Sequence, residues 1–595
     1  MSINENNNIK KKDLPKNRSG AEIFVDTIND LKIDYIFGHT GGAIMPMYVE
    51  INKRISRHEK TPEVIMFRQE PGAGHAAEGY SKIKGKPLLV CATSGPGATN
   101  LVTPIADCFA DSIPAIFVTG QVSSNYLGTN AFQEVPITKI VSPITKLAIL
   151  VKNANEIESA LRKAYDISLS GRKGPVLIDI CKDAFNGKNN EEPLINSSIE
   201  KKIEDKFDKK VIDEMLKQFA KAKKPIIYIG GGIKIDDSYE LLKTFAKKYD
   251  SPVGMTLMSL GSIPRDNKLS LGMLGMHGTI EANNAAKNSD FILGIGVRFD
   301  DRVAVKDFGN HAKICHVDID ASEINKIRKV DYEINTSAKR FLEYAINNGP
   351  SRTEDLNDWH NQISEWKKMN PKLDEEKDEI IPQIFIKELS NLTSGKSIIA
   401  TGVGQHQMWT AQYYNFINPT DFLTSGGLGT MGYGLPAAIG AYFTKSNKEI
   451  ILIDGDGSFQ MNMQELGTVV QNKIPLKMFV INNGLWGLPM QWHEMFDEGN
   501  LFECCLERDL TCPKNCSSFK TCKKRNNNPD LINLDKVYPG LKTARITRPE
   551  EMIPMIKEVL AHKGPYLVDV QIKKESYILP IIPPGKGIDD IITEY

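Results

Sequence analysis

Short apolar runs closed by Gly or Pro alternate with helix-length amphipathic stretches along almost the whole chain, and the alternation comes in three blocks. A run of four to eight apolar residues without polar alternation is buried on both faces, as a strand is in a parallel sheet covered by helices. Such a chain folds into α/β units, and 595 residues exceed what one core can organise. The expectation is an α/β protein of three doubly wound parallel-sheet domains. Strand candidates are 35–38, 64–67, 88–92, 115–119 and 176–181 in the first block. They are 226–230, 253–257, 291–296 and 314–319 in the second, and 397–401, 450–453, 476–481 and 566–570 in the third. Stretches rich in Lys, Glu, Asp and Asn separate the blocks, the first with a charged helix inside it. The layout is a disordered tail at 1–19, a domain at 20–185, a linker at 186–224, a domain at 225–350, a linker at 351–380 and a domain at 381–595.

Charge and cysteine content narrow the function. Lys+Arg and Asp+Glu both total 74, so no global field recruits nucleic acid or an anionic membrane. No apolar run reaches the ~18 residues of a membrane span. The first 19 residues carry Glu5 and Asp13 among Asn and Lys, unlike an Arg-rich, acid-poor transit peptide, so the cytoplasm is the expected location, with the stroma of an organelle that makes the protein internally as the alternative. Four of the nine cysteines, Cys91, Cys108, Cys181 and Cys315, stand singly in apolar segments. The other five crowd into 504–522, and a chain of this size needs no disulfide staples, which points to a reducing compartment.

The chemistry begins at Gly455-Asp456-Gly457-Ser458, where the apolar run 450–453 ends in a tight turn that puts a carboxylate at a sheet's edge. Twenty-five residues after Gly457, the run 478–481 ends in Asn482-Asn483, an amide at the tip of a neighbouring strand. Asp456, the Asn483 side-chain oxygen and a backbone carbonyl are hard oxygen donors suited to Mg²⁺ shared with a diphosphate. An Asp-Gly turn alone is common; its pairing with a strand-end Asn-Asn is far more specific.

In this pattern the chain resembles the thiamine diphosphate (ThDP) enzymes. The resemblance implies Asp456, Asn483 and the Leu485 carbonyl as Mg²⁺ ligands, with Gly457 and Ser458 beside them and Gly404-Gln405-His406 as the diphosphate loop. It implies that Glu70, in Arg68-Gln69-Glu70-Pro71-Gly72, exchanges a proton with the cofactor's aminopyrimidine ring, near Gly41-Gly42. A carboxyl in an apolar site is expected to have a raised pKa for that task.

Further stretches resemble the large catalytic subunits of the acetolactate synthase (acetohydroxyacid synthase) family. The run 424–441 is nearly verbatim, and the resemblance gives Gly429 and Met431 to the cofactor, Met431 holding its rings bent. Gly275-Met276-His277-Gly278-Thr279, then Gly296, Arg298 and Asp300, with Asp318 and Arg172, match the family's FAD segments. Gln133, in the loop 128–134, matches a residue that reaches the neighbouring subunit's cofactor. Trp492 matches the acceptor pocket, and Lys182 and Arg302 match positions near the ketoacid carboxylate.

The implied activity decarboxylates pyruvate and joins the two-carbon remainder to a second 2-ketoacid. Pyruvate as acceptor gives 2-acetolactate and 2-ketobutyrate gives 2-aceto-2-hydroxybutyrate, the first common step of valine, leucine and isoleucine synthesis. The implied assembly is a homodimer or homotetramer, and a small regulatory subunit is common in the family. A related carboligase or decarboxylase with another acceptor, or an inactive cofactor-binding paralogue, are the alternatives. They draw on departures from the family pattern: His39-Thr40 for Tyr-Pro, Gln69 and Pro71 for His and Gln, Asn130 and Gly402 for Asp, and Leu488 for Met. The largest departure is the cysteine-rich lid segment 500–528, with Cys504, Cys505, Cys512, Cys516 and Cys522. Its spacings are not those of a zinc ribbon, and the lysines near its thiols, Lys514, Lys520, Lys523 and Lys524, suggest redox sensitivity. A solvated insertion is the plain alternative.

Overall fold

The computed structural model describes residues 17–189, 207–303, 305–373, 376–508 and 527–595. Three six-stranded sheets carry the chain, and every strand pairing within them is parallel. The first holds β1 (Tyr35–Gly38), β2 (Glu63–Met66), β3 (Leu89–Ala92), β4 (Ala115–Gln121), β5 (Leu147–Val151) and β6 (Pro175–Cys181). The second holds β7 (Pro225–Ile229), β8 (Val253–Met255), β9 (Ser270–Met273), β10 (Phe291–Ile295), β11 (Lys313–Asp318) and β12 (Tyr332–Asn335). The third holds β13 (Ile398–Thr401), β14 (Phe422–Leu423), β15 (Ile450–Gly455), β16 (Lys477–Asn482), β17 (Lys542–Ile546) and β18 (Tyr566–Gln571).

The first and third sheets run β2-β1-β3-β4-β6-β5 and β14-β13-β15-β16-β18-β17, the same order once each is counted from its own first strand. The two domains are therefore structural repeats. The middle sheet runs β12-β11-β10-β7-β8-β9, the order of a dinucleotide-binding fold. In all three, strand order reverses beside the domain's first strand, and a crevice opens there beyond the carboxyl ends.

The five strands that the sequence pattern does not pick out, β5, β9, β12, β14 and β17, are all edge strands. Edge strands are short or half exposed and carry a weaker apolar signature; β5, apolar throughout, is the exception. Both segments read as linkers carry packed helices. The helix Lys209–Lys221 buries Ile212, Met215, Leu216 and Phe219 in the core of the middle and third domains. In the helix Asn357–Lys367, buried Trp359 donates its indole N–H to the Pro225 carbonyl at 3.1 Å. Composition placed Arg18 and Ser19 in the tail, but Arg18 pairs with Asp26 at 2.6 Å and Ser19 caps the helix Gly20–Asp30. Residues 1–16 lie outside the described residues.

The first and third domains share one apolar core through the helices Glu70–Lys84 and Gly434–Tyr442. Small residues let these helices touch backbone to backbone: a Cβ on Gly440 would sit 1.8 Å from the Ala76 carbonyl oxygen, and one on Gly79 2.3 Å from that of Ala437. Neither carbonyl can turn away without breaking its helix. Gly440→Ala is therefore expected to cost about 1–3 kcal/mol or more by overpacking, read as a lower urea midpoint. Among the described residues, no helix is long and apolar enough to cross a membrane.

Candidate functional site

The crevice of the first domain lies past the ends of β1 and β3. His39 and Gly41 follow β1, Thr93, Gly95 and Gly97 follow β3, and Glu70 opens the helix Glu70–Lys84. Glu70 is buried; its Oε1 lies 3.1 Å from His39 Nε2, and its Oε2 accepts from Asn100 Nδ2 at 3.0 Å. Glycines make the room: a Cβ on Gly97 would lie 3.2 Å from Glu70 Oε1, and one on Gly95, where φ is +60°, 2.8 Å from Gln133 Cβ. Gly41 packs on Thr93, whereas Gly42 faces open space. Gln133, half-buried with φ +61°, thus stands beside the Glu70 cluster. From the third domain, Glu465 accepts the backbone N–H groups of Arg68 and Gln69 at 3.1 Å and fixes the approach to Glu70.

One expectation is corrected here. Burial does oppose ionisation of Glu70, but the hydrogen bonds from His39 and Asn100 together outweigh it and hold the carboxyl below its ordinary pKa. The site is polar where an apolar one was expected.

The corresponding crevice of the third domain lies past β13 and β15. Gly404 precedes the helix Gln405–Tyr413, which carries Gln405 and His406, the latter 3.3 Å from buried Asp454. The Gly-Asp-Gly segment is the first turn of a short helix, Asp456–Gln460, where a reversing turn was expected. Gly457 packs so close to the Trp486 ring that a Cβ would be 2.5 Å from it, and Ser458 Oγ accepts from the Gly432 N–H at 3.0 Å. Asp456 is buried, and burial pushes its carboxyl up to about 7 despite a 2.8 Å hydrogen bond from Asn528 Nδ2 to its Oδ2. At the end of β16, buried Asn483 holds its side-chain oxygen 3.1 Å from the Leu485 N–H. A buried acid next to an amide oxygen and a strand-end carbonyl suits a hard dication.

A third element is a cavity of about 1890 Å³ between all three domains. Arg172, Met276, His277, Gly296, Arg298, Asp300, Asp318 and Arg302 line it, as do Gly429 and Trp492 from the third domain. Arg172 spans to the middle domain with a 2.7 Å ion pair to Glu323. Burial pushes Asp318 up to about 7 and His277 down to about 4. On another wall, burial and the nearby Lys82 charge push Lys234 down to about 7. Gly275, Gly278 and Thr279 shape the wall from behind: a Cβ on Gly275 would meet the Arg302 carbonyl at 2.4 Å, and Thr279 caps the helix Ile280–Asn288. Glycine-lined strand ends with cationic side chains on one crevice fit a dinucleotide's diphosphate.

The structure does not bring every expected residue together. Glu70, Gln133 and Met431 do not line this cavity; Met431 is half-buried beside it in sequence. Lys182 is exposed at the start of the helix Lys182–Asn186 on the first domain, apart from Arg302 on the cavity wall. Cys504 and Cys505 belong to a strand-like pairing with the loop that follows β16, where the Trp486 N–H donates to the Cys504 carbonyl at 2.8 Å. Cys512, Cys516 and Cys522 and the neighbouring lysines lie outside the described residues.

Two features had no signal in the sequence reading. Asn528 is one, since nothing in Asn-Asn-Asn-Pro marks it as a partner for Asp456. The other is a buried charge cluster joining the first and third domains. Lys82 Nζ lies 2.7 Å from Glu78 and 2.8 Å from Asp111, and donates to the Thr424 carbonyl at 2.6 Å. Asp111 accepts from the Gly427 N–H at 2.7 Å, and Asp107 from Ser425 Oγ at 2.8 Å. These contacts fix the segment 424–430, whose residues 425–429 form part of the cavity wall.

Family models match the three domains in order: the thiamine pyrophosphate enzyme N-terminal TPP binding domain over 18–140, the central domain over 212–344 and the C-terminal TPP binding domain over 402–570. Over 97% of its length the chain is 39% identical to the acetolactate synthase large subunit of Corynebacterium glutamicum, covering 90% of that protein. It is 39% identical to the chloroplastic acetolactate synthase of Arabidopsis thaliana, covering 85% of it. It is 37% identical to the mitochondrial acetolactate synthase catalytic subunit of Saccharomyces cerevisiae, covering 84% of that chain. With three matched domains in register and identity spread over the full described fold, this chain belongs to the acetolactate synthase large-subunit family of thiamine diphosphate enzymes.

Proposed function

We propose that this chain joins two 2-ketoacids with loss of CO₂, taking pyruvate as donor and pyruvate or 2-ketobutyrate as acceptor. The products are 2-acetolactate and 2-aceto-2-hydroxybutyrate. The observation that carries the reading is the meeting of Asp456 and Asn483 at the carboxyl ends of adjacent strands β15 and β16, in a domain of the ThDP-binding type.

ThDP, when bound, supplies the nucleophile and electron sink that let a 2-ketoacid lose CO₂. The residues of the chain bind, orient and move protons. Asp456, Asn483 and the Leu485 carbonyl would hold Mg²⁺, with Gln405, His406, Gly457 and Ser458 around the diphosphate. Glu70 would exchange a proton with the pyrimidine edge through its carboxyl, and Gly429 and Met431 would shape the space for the two rings. Arg302 would meet the ketoacid carboxylate and Trp492 would narrow the acceptor side, excluding water. Arg172, Met276, His277, Arg298, Asp300 and Asp318 would hold FAD, which has no electron to carry in a reaction without net redox change.

Since Glu70 and Gln133 stand away from the cavity that Gly429 and Trp492 line, a second copy of the chain is proposed to complete each site. Lys182 and Gln133 would then reach the partner's substrate. The buried free thiols Cys91, Cys108, Cys181 and Cys315 accord with a reducing compartment, and we place the enzyme in the cytoplasm. A small regulatory subunit is part of the same reading, tested by co-purification.

Purified protein supplied with ThDP, Mg²⁺, FAD and pyruvate is expected to release CO₂ and form 2-acetolactate, and a pyruvate and 2-ketobutyrate mixture should give both products. Acetaldehyde or acetate without a carbon–carbon coupled product would overturn the reading.

A further inference from the structure

His39 has no role in the proposed reaction so far, yet it touches the Glu70 carboxyl on the oxygen that Asn100 leaves free. Its ring sits just past β1, with Nδ1 3.2 Å from the Thr40 carbonyl oxygen and Nε2 3.1 Å from Glu70 Oε1. A carbonyl can only accept, so Nδ1 carries a hydrogen. In a neutral His39 that leaves Nε2 as a bare lone pair. A lone pair facing a carboxylate oxygen at this distance would be repulsive, so the contact holds one proton, either on His39 as an ion pair or on Glu70 as a neutral pair. The other carboxyl oxygen is held by Asn100, an amide that does not titrate.

We propose that His39 is a positioning residue for Glu70, which exchanges one proton between its Nε2 and Glu70 Oε1 and so keeps Glu70 supplied with the proton it gives to the cofactor. The proposal rests on the role of Glu70 given above. When the proton passes to Glu70 the imidazole is left neutral, its Nδ1–H still on Thr40. When Glu70 has given the proton away, His39 takes another from water, since about a third of its side chain is exposed.

The charges around the ring favour holding that proton. Glu70 faces it from the helix Glu70–Lys84, and Glu465 faces it from the third domain, its oxygens bonded to the N–H groups of Arg68 and Gln69 and to Thr468. Gln69 and Gln464, which bond each other nearby, are uncharged. In keeping with this, the Glu70 hydrogen bond raises the His39 pKa against the effect of burial, and the same contact lowers that of Glu70.

Two measurements test it. In cofactor-free full-length protein labelled on histidine, the NMR titration of His39 is expected above the ordinary histidine value, falling by about one unit, a tenfold change in proton affinity, in Glu70→Gln. In the holoenzyme, the sign follows from the single proton. The dyad is active with it and inactive without it, and without His39 the proton must rest on a carboxyl that holds it more weakly. His39→Gln and His39→Tyr should therefore shift the alkaline limb of the kcat/KM profile to lower pH by about one unit, with ThDP affinity and melting temperature unchanged. An alkaline limb unchanged in both variants, or a His39 titration indifferent to Glu70→Gln, would overturn the proposal. The Glu70 reading fails separately, if Glu70→Gln keeps its activity; the NMR coupling then still decides whether the dyad exists.

Discussion

Glu70→Gln is expected to lower kcat for acetolactate formation by about 10²–10⁴, the range that general acid–base catalysis contributes, while ThDP still binds and the fold is kept. The substitution is nearly isosteric. The Gln side-chain oxygen can still accept from Asn100, and its NH₂ can donate to the bare Nε2 of a neutral His39, so no buried group loses its partner. What is lost is the ability to give up or take a proton at that carboxyl. The check is steady-state kinetics beside a binding titration with ThDP. A rate within about tenfold of the parent, well short of a catalytic group's share, would remove Glu70 from the mechanism.

Lys82→Met is expected to destabilise the protein by about 3–5 kcal/mol, the cost of removing one partner from a buried ion pair. The Lys82 side chain is fully buried, as is that of Glu78, and Asp111 has no solvent to turn to either. With the ammonium gone, two carboxylates and the Thr424 carbonyl lose their shared donor. The urea midpoint should fall, and because the cluster grips segment 424–430 the cavity wall should loosen with it. A midpoint shift below about 1 kcal/mol, in the range of a surface pair, would show the cluster to be solvated. The same cluster gives a pH dependence. Burial, then the charges of Glu78 and Asp111, raise Asp107 from 3.8 to about 8, so the folded chain holds a proton that the unfolded chain releases. The stability from that proton is full below the ordinary carboxylate range and is lost as pH rises through about 8. Asp107→Asn should flatten the decline in the midpoint between the ordinary carboxylate value of 3.8 and about 8.

The sequence showed some of this and hid the rest for physical reasons. Central strands such as β3 and β10 are buried on both faces, so their residues are uniformly apolar and easy to see. Edge strands such as β12 and β17 put polar groups to solvent and lose that signature. The positions of Asp456 and Asn483 at the ends of neighbouring strands were legible because an apolar run closed by a polar turn leaves a local pattern. Asn528 and the Lys82 cluster were not, since their partners lie 72 and 342 residues away along the chain and no local spacing encodes such a contact. Glu70 was found as a residue but misread as an environment. The small residues after it suggested an apolar site, while the two side chains that make it polar come from the ends of other elements.

The shared core of the first and third domains also sets an order of events at the ribosome. The helix Glu70–Lys84 is finished about 350 residues before the helix Gly434–Tyr442 that covers its glycine-rich face. At about 5–20 residues per second, that face waits roughly 20–70 s for its cover. During that interval the first sheet can form, but Ala73, Ala76 and Ala77 stay uncovered, and Glu78 and Lys82 lack the Thr424 segment that completes their cluster. Slow decoding or a premature stop anywhere between the two helices would prolong the exposure, which makes the nascent first domain a client for chaperones well before any cofactor can bind.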